Sequence, residues 1–253
     1  MVIELNDRKK QVLEAIVSDY IDTAEPVGST TLTHHYLRKV SPATVRAEMA
    51  ELERIGLLTH PHTSAGRIPT DLGYRYYVDH IMETKIISGR EIALIKSGIK
   101  KIGRGIEEIL IGTAKILSSV LNYVTIFAIF GREQRKLITS GISQVLKQPE
   151  FTEVSQARSF IETIEQEDFL ARILEGYARR QSLNIHIGHE NPYREVQDLS
   201  VAVIKCQMLG MNPGAIGILG PTRMNYDHVA SVLTFVTEEF NRLNQEAVHV
   251  RRA

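Results

Sequence analysis

SPATVRAEMAELERIGLLTHPHTSAGRIPTDLGYRYYVD, Ser41 to Asp79, reads as a helix, a hairpin and a second helix joined with almost no spacer. Ser41 suits a helix cap and Pro42 the first helical position, where a missing N–H has no partner to lose. Val45, Met49 and Leu52 recur at i, i+4 and i+7 as one apolar stripe for a core. At about 100° per residue, Ala43, Ala47 and Ala50 fall on the far side, with Thr44 and Arg46 flanking them. That side is slim and polar-edged. A major groove about 12 Å wide admits such a helix, with Arg able to fork onto guanine or a phosphate and Ala or Thr able to touch a thymine methyl. For an isolated helix, an ordinary solvated face is the alternative.

The following residues shift that balance. Gly56 ends the helix, Leu57 to His60 is a short apolar strand, and Pro61 to Gly66 is rich in turn formers. Arg67 to Pro69 returns as a second strand and Thr70 caps the next helix. A hairpin directly behind a candidate recognition helix is a wing, so the plan is a winged helix-turn-helix. His62, Thr63, Ser64 and Arg67 would then lie near the phosphate backbone or minor groove. Upstream, Asn6 can cap a helix to about Asp22 whose buried side is Val12, Leu13, Ile16, Tyr20 and Ile21, stopped by Glu25-Pro26. A short second helix through Leu32 and Tyr36 follows, with Ser29 and Thr31 placed to reach a phosphate at its N-terminus. The expected DNA contacts are thus Ser29, Thr31, Ser41, Ala43, Thr44, Arg46, Ala47, His62, Thr63, Ser64 and Arg67. Leu72, Tyr76 or Tyr77, and Ile81 are expected to pack on one side of the helix after the wing.

Charge weighs against this expectation. The chain is neutral overall, but residues 1 to 84 carry 9 basic and 12 acidic side chains, a net charge of minus 3. Counterion release by Lys and Arg supplies much of nucleic-acid affinity. Asp7, Glu14, Asp19, Asp22 and Glu25 belong to the first helix and its exit, which need not face DNA, while Arg46 and Arg67 cluster at the proposed reading surface. Residues 85 to 150, with 11 basic and 5 acidic side chains, add long-range attraction.

The rest of the chain supports an α+β protein. At 43% hydrophobic residues over 253 positions, packed cores are within reach. A single cysteine, Cys206, excludes an internal disulfide, and without a leader pattern the expected compartment is the cytoplasm. The apolar run around Val120 to Phe130 is too short to span a bilayer. Ile86 to Leu121 reads as a glycine-interrupted hinge and connecting helix; Gly98 to Gly105 lacks the Lys-Ser/Thr ending and preceding strand of a phosphate loop. Tyr123 to Phe130 is a buried strand, and Leu137 to Tyr177 reads as mostly helical, with Val154, Ile161 and Ile164 on one helix. Strand candidates follow at Leu183 to Ile187, Ser200 to Leu209 and Ala215 to Leu219. A last amphipathic helix buries Val229, Val232, Leu233, Val236, Phe240 and Leu243. Pro221-Thr222-Arg223 reads as a packing turn rather than an anion site. His60 and His62 lack further ligands for a metal, no nucleophile elbow or paired carboxylates appear, and neither an enzyme nor a cofactor is expected.

LNDRKKQVLEAIVSDYIDTAEPVGS (Leu5 to Ser29), SPATVRAEMAELERIGLL (Ser41 to Leu58), PHTSAGRIPTDLGYRYYVD (Pro61 to Asp79) and GILGPTRMNYDHV (Gly217 to Val229) resemble the heat-inducible transcription repressor HrcA family. The resemblance implies a winged-helix domain over 1–81, a helical connector over 82–122 and a GAF-like α/β domain from 123–130 and 181–246. It further implies that 131–180 is a reduced helical insertion, the remnant of a dimerisation region, because Phe130 to Leu137 crosses in a few residues where the family carries further strands and an inserted domain. Thr30 stands where the family has a basic residue, and Ala47 where it has Asn. The implied function is repression of heat-shock chaperone operons by a homodimer on an inverted-repeat, CIRCE-type operator in double-stranded DNA, with release on heat shock and the chaperonin as modulator. The alternatives are a small-molecule sensor whose GAF-like domain binds a metabolite, and a structural interaction protein with no DNA role.

Overall fold

The computed structural model describes residues 3–61, 66–99, 105–131, 135–179, 182–208 and 213–252. His62, Thr63 and Ser64 lie outside them. The chain forms two compact units: Met1–Glu83 with Thr222–Tyr226, and Thr84–Pro221 with Asp227–Ala253.

In the first unit α1 (Asp7–Thr23) starts at Asn6, whose side chain accepts from the Lys9 N–H at 2.9 Å, and ends at Ala24 in the left-handed region. α2 (Ser29–His35) and α3 (Pro42–Arg54) follow, and Ser41 Oγ caps α3 by accepting from the Thr44 N–H at 3.1 Å. Val45, Met49 and Leu52 are buried, each stabilising the unit by roughly 1.5 to 3 kcal/mol. Two short antiparallel strands, β1 (Leu58–Thr59) and β2 (Ile68–Pro69), pair Leu58 with Pro69 and Thr59 with Ile68. Val27 adds an antiparallel bridge to Arg67, with N–H···O bonds of 2.9 Å in both directions. α4 (Asp71–His80) is capped by Thr70, whose Oγ1 accepts from the Gly73 N–H at 3.0 Å and donates to the Gly56 carbonyl at 2.6 Å. Tyr74, Tyr76 and Tyr77 are buried on α4, whereas Leu72, expected on the packing side, is 46% exposed.

The second unit is built on a five-stranded antiparallel sheet in the order β4-β3-β7-β6-β5. α5 (Gly89–Ile99) and α6 (Ile106–Leu121) precede β3 (Val124–Phe130) and β4 (Arg135–Ser140). α7 (Ile142–Val145), α8 (Val154–Glu165) and α9 (Glu167–Tyr177) lead to β5 (Asn184–Ile187), β6 (Leu199–Gln207), β7 (Pro213–Pro221) and α10 (Tyr226–Arg252). Ile126 meets Leu170, Ile173 and Leu174 of α9, while Phe127 stacks on Phe240 of α10 at 5.8 Å between centroids. The sheet is therefore covered on both faces, and β3 reads as an apolar run broken only by Thr125 for that reason.

Two expectations are corrected. Arg135–Ser140, placed by sequence in a helical insertion, is an edge strand whose register runs from Phe130↔Arg135 to Thr125↔Ser140. Only Ile138 in it is buried, and charged residues open it, as befits an edge that must not pair with other chains. The segment read as a hinge and connector belongs to the second unit instead: α5 and α6 pack together, and ion pairs Lys85–Asp227 (2.8 Å), Glu91–His228 (2.8 Å) and Lys96–Glu239 (3.4 Å) tie it to α10. On α8 Val154 is 82% exposed, while Phe160 and Ile164 are buried.

Candidate nucleic-acid interface

α3 turns its stripe of Val45, Met49 and Leu52 inward, so 3.6-residue periodicity alone sends Ala43, Thr44, Arg46, Ala47 and Ala50 outward, and all five are exposed. Ser41 is exposed beside them, but its hydroxyl is already engaged with the Thr44 amide and, at 2.8 Å, with Thr44 Oγ1.

Each carboxylate on α3 has a cationic partner. Glu48 meets Lys9 of α1 at 3.2 Å, Glu51 meets Arg54 at 2.7 Å, and Glu53 meets Arg67 at 2.7 Å. Arg46 has no ion-pair partner among the described residues, so the charge left for a ligand on this helix is positive. This answers the acidic count of the N-terminal region. Net charge is a sum over the segment, whereas a ligand meets the local distribution.

Other expected contacts sit differently. Ser29 is the first residue of α2 but only 9% exposed. Thr31 is partly exposed and Thr30 exposed. Arg67, expected to reach phosphate, is instead bound through Nε to Glu53 Oε2, while His60 Nδ1 bonds Glu53 Oε1. Burial alone would raise the Glu53 pKa, but the hydrogen bond from His60 and the charge and hydrogen bond of Arg67 outweigh it and hold the carboxyl below its usual range.

Sequence reasoning missed two features of this unit. One is the Glu53 carboxylate joining α3 to both legs of the hairpin. The other is Thr222–Tyr226, which belongs to this unit although it lies far along the chain. There Arg223 is buried and donates to the Ile21 carbonyl at 2.8 Å, near the end of α1. Tyr226 packs on Tyr74 at 5.7 Å between centroids, and its hydroxyl donates to the Thr222 carbonyl. Met224 and Tyr226, both fully buried, were the available signal, since a solvent-facing turn has no use for two large apolar side chains.

The model of the HrcA protein C terminal domain matches residues 84–230, more than half of the chain. The chain belongs to the HrcA family. The heat-inducible transcription repressor HrcA of Desulforamulus reducens is 29% identical over 337 residues, covering 95% of this chain and 97% of that protein. Its namesake in Symbiobacterium thermophilum is 29% identical over 338 residues, covering 95% and 99%. An aligned stretch of 337 residues exceeds the 253 of this chain, so these relatives carry residues with no counterpart in it. A crystal structure of a hypothetical protein, solved at 2.2 Å, superposes with a TM-score of 0.75 at 19% identity, covering 96% of this chain and 98% of the other. That likeness establishes the α+β fold. Among the described residues no helix is long and apolar enough to cross a membrane.

Proposed function

We propose that this chain is a heat-inducible transcription repressor that reads double-stranded DNA with α3. In this reading α1 to α4 and the β1–β2 hairpin form a winged helix-turn-helix over residues 1–81, and the five-stranded sheet with its helices is a GAF-like domain. The observation that carries it is the outer face of α3: small, exposed, and bearing Arg46 as its charge while each of the helix's carboxylates has a cationic partner. Family membership and the relatives' repressor names support the same reading. Ala43, Thr44, Arg46 and Ala47 face base edges, Thr31 and Ser41 lie beside the backbone, and the β1–β2 hairpin reaches the flanking groove.

A homodimer would place two such helices about 34 Å apart, or a multiple of it, and select an inverted repeat of the CIRCE type. Release on heating follows if pairing is lost first, because avidity for two half-sites goes with it. Modulation by the chaperonin belongs to the same family-based proposal, as does a cytoplasmic location.

The metabolite-sensor alternative finds little support at the α9 face of the sheet. Between α9 and the sheet the free space is about 10 Å³, because Leu174 fills the side of Gly217, where an added Cβ would sit 2.5 Å from Leu174 Cδ2. A hollow of about 420 Å³ at Phe151 and Phe160 is edged by Glu150, Glu195 and Asp198, with no cation in its lining. Titrating the purified chain onto a fluorescent CIRCE-type duplex and onto a scrambled duplex in moderate salt tests the reading. Preference for the inverted repeat, lost on warming before global unfolding, is expected. Equal affinity for both duplexes would refute sequence-specific repression.

A further inference from the structure

Glu53 sits in the last turn of α3, part-buried, and one carboxylate serves both legs of the hairpin. Its Oε1 takes His60 Nδ1, one residue beyond β1, and its Oε2 accepts from Arg67 Nε at 2.7 Å, one residue before β2. The hairpin needs such support. Its ladder is two residues long on each side, and Pro69 has no N–H to give, so β pairing alone holds its direction weakly. The Arg67 backbone is also pinned by Val27, so the Arg67 side chain leaves a fixed point and returns to α3.

We propose that Glu53 is a positioning residue for DNA reading: it locks the hairpin to α3 so that helix and wing meet the duplex as one preorganised surface. The proposal rests on the DNA-reading function above and assigns Arg67 to the lock rather than to phosphate. It has an unusual sign. On charge alone, removing a carboxylate near DNA should strengthen binding, since the duplex is a dense polyanion. If Glu53 is the lock, its removal weakens binding, because the hairpin must then be ordered at the cost of affinity.

The test is a fluorescence titration of a CIRCE-type duplex with the full chain. Glu53→Ala and Arg67→Ala should each weaken binding by about tenfold, and the double variant should be no weaker than either, the signature of two residues acting as one unit. In the free protein, Glu53→Ala should speed amide exchange at Val27 and Arg67, a change that a simple loss of DNA charge contact would not produce. Glu51→Ala, whose carboxylate holds Arg54 on the same helix, should change affinity by less than about twofold. Should Glu53→Ala fail to fold, Glu53→Gln substitutes, and a loss of affinity is again expected. Equal or tighter binding by the Glu53 variant, additive losses in the double variant, or a comparable loss in Glu51→Ala would each overturn the proposal. If the unaltered chain shows no preference for the inverted repeat, the DNA-reading function itself fails instead.

Discussion

Arg46→Ala separates a reading helix from a solvated one. Arg46 is exposed and makes no ion pair among the described residues, so its removal should leave folding within about 0.5 kcal/mol. Ala is also the better helix former. Any loss of affinity is therefore a loss of contact with the duplex. A fork from Arg to one guanine contributes about 1 to 3 kcal/mol, and a dimer on an inverted repeat uses it twice, giving about 2 to 6 kcal/mol. In dissociation constants this is from about thirtyfold to about 10⁴-fold. Fluorescence anisotropy at fixed salt measures it, and repeating the titration on a scrambled duplex sorts base contact from phosphate contact. A base contact weakens only the specific complex; a phosphate contact weakens both and lowers the salt slope by about 1 per site. Undiminished affinity would refute the assignment of Arg46. So would a matching fall in melting temperature, because it would mean that Arg46 supports the fold.

Other outcomes follow from single contacts. Gly73→Ala should lower the melting temperature of the first unit by several degrees, because a Cβ there would overlap the Leu57 carbonyl oxygen and neither partner is a flexible side chain; calorimetry showing no change would contradict the close approach of α4 to the Leu57 backbone. Thr125→Val should stabilise the second unit by up to about 1 kcal/mol, because Thr125 Oγ1 is buried with no hydrogen-bond partner among the described residues, and denaturant unfolding would report it. Cys206, its thiol pushed up to about 12 by burial, should resist alkylation in the native state and react in step with unfolding of the sheet. Rapid labelling at low temperature would show that β6 opens far more readily than its packing implies.

The candidate site was legible where its determinants were local. The caps Ser41 and Thr70 and the stripe of Val45, Met49 and Leu52 specify helices and their facing from neighbours within a few residues, and Ala43, Thr44, Arg46 and Ala47 are outward as that periodicity demands. The burial of Ser29 was not legible because a helix start looks the same in sequence whether it faces solvent or a neighbouring helix. The Arg67–Glu53 bond was not legible because a guanidinium in a hairpin suits phosphate and carboxylate equally, and only its surroundings choose between them.

What sequence by itself determined is therefore the helical scaffold and the outward face of α3, since caps and apolar periodicity act over one or two turns. Only the tertiary structure decided that Arg135–Ser140 is an edge strand, that Glu53 binds the hairpin 14 positions away, and that Arg223 reaches the carbonyl of Ile21 across 202 positions. These contacts join residues that carry no mark of each other in the chain. Each is chosen by which groups remain unpaired once the elements have packed, and that is a property of the assembled fold.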